Sequence, residues 1–144
     1  MDQLHIADFY KDCAVTLIRL YRSFPRKTSV YVGDLCGFEE TDELGLYSQR
    51  FQACFAAIQW MIEEGWIRHE GSIGQEAIEL ATLSQNTFYH LNTAPYPLTN
   101  SSDNDLPDIA TYSNLADQIH TLLTQGTSDQ LNHLMHRFIS KLQA

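Results

Sequence analysis

Residues 54–71 read CFAAIQWMIEEGWIRHEG, and the fold turns on how this stretch is read. With Phe51 just ahead of it, apolar residues recur at Cys54, Phe55, Ile58, Met61 and Ile62. Those three- and four-residue steps describe the buried face of one helix. Ser48 stands where an N-cap is needed, its hydroxyl free to accept from the first turn. At the other end Gly65 suits the left-handed residue that closes a helix. The chain then restarts at once as Trp66-Ile67-Arg68, a short strand. Glu70-Gly71-Ser72-Ile73-Gly74 supplies turn residues, and Glu76 to Thr82 returns as the partner strand.

Working outward, Ile6, Phe9, Tyr10, Cys13, Leu17, Leu20, Tyr21 and Phe24 form a second helical face over residues 5–24. Pro25 ends that helix, and Arg22 lies in the last turn, where a cation complements the dipole. The β-branched run TSVYVGDL predicts a short strand, after which Asp34 is expected to cap a helical turn through Leu35 and Cys36. The glycine-bounded acidic tract GFEETDELG (37–45) reads as a loop or as a short helix beginning near Thr41. Downstream, Ser84 is placed to cap a helix carrying Phe88 and Leu91. Residues 94–112 hold three of the four prolines among Asn, Ser and Asp, the composition of a linker. Beyond it, Leu115, Ile119, Leu122 and Leu123 mark one helix, closed by Gly126. Ser128 is expected to cap a last helix bearing Leu131, Leu134, Met135, Phe138, Ile139 and Leu142, completing an αα-hairpin. Neither helix is long enough to be stable alone, so their apolar faces must pack on something.

The 144 residues suit one compact domain with an appendage, and 44% hydrophobic with 19% charged residues is an ordinary globular balance. No window approaches the ~18 apolar residues of a membrane span. The first residues, MDQLHIADFYKD, lack the basic and apolar regions of a secretory signal, so a cytoplasmic protein without membrane contact is expected. Cys13, Cys36 and Cys54 are far apart and contain no CxxC, as free thiols in a reducing compartment would be. Net charge is −9, unevenly spread: residues 1–33 carry +2, residues 34–94 carry −8, and residues 95–144 carry −3.

The segments SQRFQACFAAIQWMIEEGWI, RHEG and AIELATLSQNTFYHL, taken in this order, resemble the winged-helix (winged helix-turn-helix) superfamily of bacterial proteins. The likeness spans about residues 5–92. Leu83-Ser84-Gln85-Asn86-Thr87 stands where many members have Leu-Thr-x-x-Gly. The resemblance implies a mainly α fold with a small antiparallel β-wing (α+β), a winged helix-turn-helix at 1–93. The linker at 94–112 and a C-terminal helical hairpin at 113–144 follow from composition and periodicity.

In that superfamily the N-terminal half of the helix after Ser48 enters the major groove. Carried over, the outward residues are Ser48, Gln49, Arg50, Gln52 and Gln59, with Arg68, Arg26 and Lys27 placed for phosphates. Arg pairs bidentately with guanine and Gln with adenine, so double-stranded DNA is one candidate partner. The alternative is that these are solvated surface positions. Only two cations lie in residues 34–94, and Asp34, Glu39, Glu40, Asp42 and Glu43 precede the reading helix, where each repels phosphate. A DNA-contacting surface would need a positive stripe assembled from Arg22, Arg26, Lys27, Arg50 and Arg68.

The competing expectation is an acidic protein–protein interaction or assembly module that does not touch DNA directly. Leu131, Leu134, Phe138 and Leu142 offer a homodimer face or, equally, a face for packing within the chain. His133 and His136, three apart on the last helix, with His120 opposite, have no third ligand set by spacing, so no metal or cofactor is expected. Catalysis is not expected either: GxSxG, HExxH and glycine-rich phosphate loops are absent, and Glu63 and Glu64 diverge by about 100° on their helix. The two surviving expectations are a DNA-binding transcriptional regulator and a protein-interaction module, both non-enzymatic and dimeric.

Overall fold

The computed structural model describes residues 4–97 and 112–143. Most of the expected linker, residues 98–111, lies outside the described residues. The chain is mainly α with a small antiparallel sheet. A long helix, α1 (Leu4–Ser23), leads into strand β1 (Thr28–Tyr31) and a short helix, α2 (Val32–Cys36). Helix α3 (Gln49–Glu63) feeds three strands, β2 (Ile67–Arg68), β3 (Gly71–Ile73) and β4 (Ala77–Leu83). Helices α4 (Gln85–Leu91), α5 (Leu115–Gln125) and α6 (Ser128–Leu142) complete the described fold.

The helix-to-strand transition forms as the opening stretch predicts. Ser48 accepts a hydrogen bond from the Phe51 amide, and Gly65 adopts φ 82°, a backbone state that a Cβ disfavours. Strand β4 runs through the middle of the sheet, with β1 on one edge and β2 and β3 on the other. Gly71–Ile73, expected as turn, is a strand paired with Ala77–Glu79. The turn itself shifts to residues 74–76. Gly71 and Ser72, weak strand formers, join a strand because β4 presents an edge that their backbone groups can satisfy. Leu80 in β4 sits at φ 51°, and the β1–β4 register slips between Thr28 and Val30, the mark of a bulge.

Two caps also differ. The helix after β1 begins at Val32, so Asp34 lies inside its first turn instead of capping it. The cap of α6 is Thr127, one residue earlier than expected: its hydroxyl accepts from the Gln130 amide while the Gln130 side chain accepts from the Thr127 amide. That reciprocal arrangement satisfies two orphan donors at once, which Ser128 alone would not do. The acidic tract 37–45 contains no helix.

Helix α1 is the centre of the molecule. It packs against α3 on one side and against α5 and α6 on another, which is why its buried residues, Cys13, Ala14, Thr16, Leu17, Ile18 and Leu20, span more than one narrow stripe. The hairpin α5–α6 therefore joins the same hydrophobic core as α1, α3 and the sheet. Leu131, Leu134, Phe138 and Leu142, the proposed dimer face, are all buried within this single chain. Self-association through those four side chains would require the hairpin to open. Tyr96 fastens the start of the connecting segment to the hairpin: its amide and carbonyl both bond the Gln118 side chain at 2.9 Å, and its ring lies beneath Lys141.

Candidate functional site

The candidate site is built around the N-terminus of α3, where Glu39 reaches across from the acidic loop. Its carboxylate accepts from the Ser48 amide at 2.6 Å and from the Ser48 hydroxyl at 3.0 Å. A negative group at a helix N-terminus is favoured by the helix dipole. Asp42 organises the loop itself, accepting from the amides of Leu44 and Leu46 at 2.8 and 2.9 Å. Tyr47 stacks on Phe51 and donates to Glu76 at 2.6 Å, tying the loop to the base of β4. That hydrogen bond is also the main reason the Tyr47 phenol titrates above its ordinary value. The loop presents three apolar side chains to solvent: Phe38, Leu44 and Leu46 are 75%, 83% and 54% exposed.

Arg50 points the other way. Its guanidinium makes a two-pronged contact with Asp12, at 2.6 and 2.8 Å, and Asp8 lies 3.6 Å from its Nε. Asp8 and Asp12 are one helical turn apart on α1 and so present both carboxylates to α3. Asp12 is 2% exposed. Hydrogen bonding to Asp12 raises the Arg50 pKa still further above its already high ordinary value, so the charge is permanent. Arg50, expected among the groove-reading residues, has its guanidinium paired instead with the buried Asp12 and the half-buried Asp8 of α1.

One turn further along α3, the Cys54 thiol meets that of Cys36 from α2. Burial pushes Cys54 and Cys13 far above the ordinary thiol value of 9.0, and raises Cys36 as well. Cys13 and Cys54 are fully buried. The folded pKa being the higher one, their contribution to stability is complete below the unfolded thiol pKa and is lost as pH rises past it. Unfolded thiols then release protons that the folded ones keep. Urea denaturation under reductant should show stability falling by about 2–3 kcal/mol from about pH 8 to about pH 10 through these two thiols. A Cys13→Ala/Cys54→Ala variant should show a correspondingly flatter decline.

The exposed residues of α3 are Gln49, Gln52, Ala53, Ala56, Gln59 and, at its last position, Glu63; none of them is basic. The Gln52 amide donates to the Tyr47 carbonyl at 2.7 Å, and Ser48 is occupied as a cap. Arg68 is exposed on β2. Lys27 is paired with Glu70 at 2.9 Å. Arg22 and Arg26 line a cleft shared with α5. Of the five cations such a positive stripe calls for, Arg50 is bound to Asp12, Lys27 is paired with Glu70, Arg22 and Arg26 line the α1–α5 cleft, and Arg68 is exposed on β2.

The histidines are likewise dispersed. His136 exchanges a hydrogen bond with the Tyr10 hydroxyl at 3.1 Å, while His120 lines the α1–α5 cleft. No group of three His, Cys, Asp or Glu side chains suited to a metal occurs among the described residues. Trp66 is buried at the junction of α3 and β2, and Trp60 bridges it to Phe9 in edge-to-face contacts of 4.9 and 5.0 Å. The Asp12–Arg50 pair had a trace in the sequence: Asp8 and Asp12 share i, i+4 spacing, and Asp12 adjoins the apolar position Cys13. Nothing in the spacing named Arg50 as their partner. The chain matches no family model, no curated protein and no solved structure.

Proposed function

We propose that the chain is a non-enzymatic, winged-helix-type binding module whose partner is a protein and not DNA. The order of helix, strand, helix, helix and wing, with β4 between β1 and β2, supports the winged-helix reading. The observation that carries the choice of partner is the inward commitment of Arg50 to Asp12 and Asp8. Without it, the reading helix shows a strip of glutamine and alanine beside a loop bearing Glu39, Glu40, Asp42 and Glu43. Such a surface gains nothing from releasing counterions off a phosphate backbone, the term that supplies most DNA affinity. Exposed apolar side chains flanked by acids instead suit a protein surface of opposite charge. The three free thiols fit a reducing, cytoplasmic setting.

Fluorescence anisotropy with a labelled mixed-sequence duplex tests this directly. At about 50 mM salt, where electrostatic binding is strong, no saturable signal is expected from the folded protein. Saturable binding that weakens steeply with salt and is lost in a Gln52→Ala/Arg68→Ala variant would overturn the reading. The protein surface has its own test. Replacing Phe38, Leu44 and Leu46 by serine should leave the unfolding midpoint nearly unchanged, since these side chains bury little. The same substitutions should remove the partners that the wild-type chain retains after nuclease treatment.

A further inference from the structure

Arg19, Arg22 and Arg26 follow one another at spacings of three and four, and all three line a single cleft between α1 and α5. Its volume is about 390 Å3. Arg22 sits in the last turn of α1, and Arg26 is held just beyond it by a hydrogen bond from its amide to the Ser23 carbonyl at 2.8 Å. His120 approaches from α5. The floor is apolar, made by Ile18 and Leu123. A second cleft of about 220 Å3 adjoins it, sharing Ile18, Arg22 and His120.

This concentration of positive charge is out of keeping with the rest of the chain. The protein has nine Lys and Arg against eighteen acids, and three of those nine converge here. Elsewhere Lys27 and Arg50 are held by carboxylates. Here Arg19 has one acid, Asp34, at 3.6 Å, while Arg22 and Arg26 have no ion-pair partner among the described residues. Asp117, in the adjoining cleft, is engaged with the Ser113 amide and caps no arginine. One cation, Arg22, suffices to complement the dipole at the end of α1, so Arg19 on the helix and Arg26 just beyond it exceed what the helix needs. Three guanidinium groups brought together beside a single acid repel one another, and a compact oxyanion relieves that repulsion while accepting several charge-assisted hydrogen bonds.

We propose that this cleft binds a small organic anion, with a phosphate or carboxylate head held by Arg19, Arg22 and Arg26. The apolar part of the ligand rests on Ile18 and Leu123. The volume is at the lower end of small-molecule sites, enough for a head and one ring. A duplex backbone is the wrong shape for it, being convex and without an apolar face to lay on the floor. The site is separate from the α2–α3 loop and stands or falls independently of the choice of protein partner.

Isothermal titration of the full chain with phenyl phosphate, inorganic phosphate, benzoate and phenol, at fixed ionic strength, tests the proposal. Saturable one-to-one binding is expected for phenyl phosphate or benzoate, weaker binding for inorganic phosphate, and none for phenol. An Arg22→Ala/Arg26→Ala variant should bind the preferred anion about tenfold more weakly or worse, given what hydrogen bonds to charged groups contribute. Its unfolding midpoint without ligand should fall only slightly, since neither side chain has an ion-pair partner to lose and only the dipole contact of Arg22 is removed. Arg68→Ala should bind as the wild type does. The proposal is overturned if none of the anions binds saturably, if phenol binds as well as they do, or if the double variant binds unchanged.

Discussion

Arg50→Ala is expected to destabilise the fold by about 3 kcal/mol, far more than the loss of a surface arginine. The reason is the carboxylate left behind. Asp12 is almost wholly buried, and its two oxygens are both occupied by the guanidinium. Removing the cation strands a negative charge with little water to solvate it. The low end of the range for broken buried pairs applies because the Arg50 side chain keeps 35% of its exposure, so solvent reaches one side of the contact. Removing both partners, as Asp12→Ala/Arg50→Ala, should cost less than the two single losses combined, with a coupling of about 1–3 kcal/mol. Urea denaturation of the four proteins measures all of these terms. A surface arginine held ready for a base edge would instead change stability by less than about 0.5 kcal/mol. An Arg50→Ala protein as stable as the wild type would therefore return the guanidinium to the DNA-facing side and reopen that function.

The second large effect belongs to the C-terminal hairpin. Phe138 has no exposed surface and lies on the face of α6 turned into the common core. Phe138→Ala should cost about 3–5 kcal/mol, combining lost burial with the cavity left behind. Because α5 and α6 share one core with α1, the loss should appear as an earlier unfolding of the whole chain in a single transition. A dimer seam on this face would behave differently, releasing monomers while the first ninety residues kept their stability. Two separate transitions, or an unchanged midpoint with a halved mass by light scattering, would show that the hairpin does not belong to the core described here.

Much of the architecture could be read locally. The Ser48 and Ser84 caps, the Gly65 exit and the apolar faces of α1, α3, α5 and α6 all depend on groups three or four residues apart. Side-chain type and spacing are then enough. Gly71–Ile73 is not legible as a strand because its Gly and Ser pair only when a neighbouring edge is offered, and that edge belongs to β4. The candidate site was half legible. Its neutral glutamine strip and acidic loop were visible as residues, but not the direction in which Arg50 turns.

What the sequence by itself determined is which residues would be helical, where most helices stop, and that the middle of the chain would be acidic. Tertiary structure decided the rest: Asp12 meets Arg50 across 38 positions, and Arg22 and His120, distant in sequence, line the same cleft. It also decided that the α6 face packs on α1 and α5 within the chain. Periodicity reports that a side chain will leave water, because burial depends on its own apolar area. It does not report what will cover that side chain or balance its charge, because the partner is chosen only when distant elements pack.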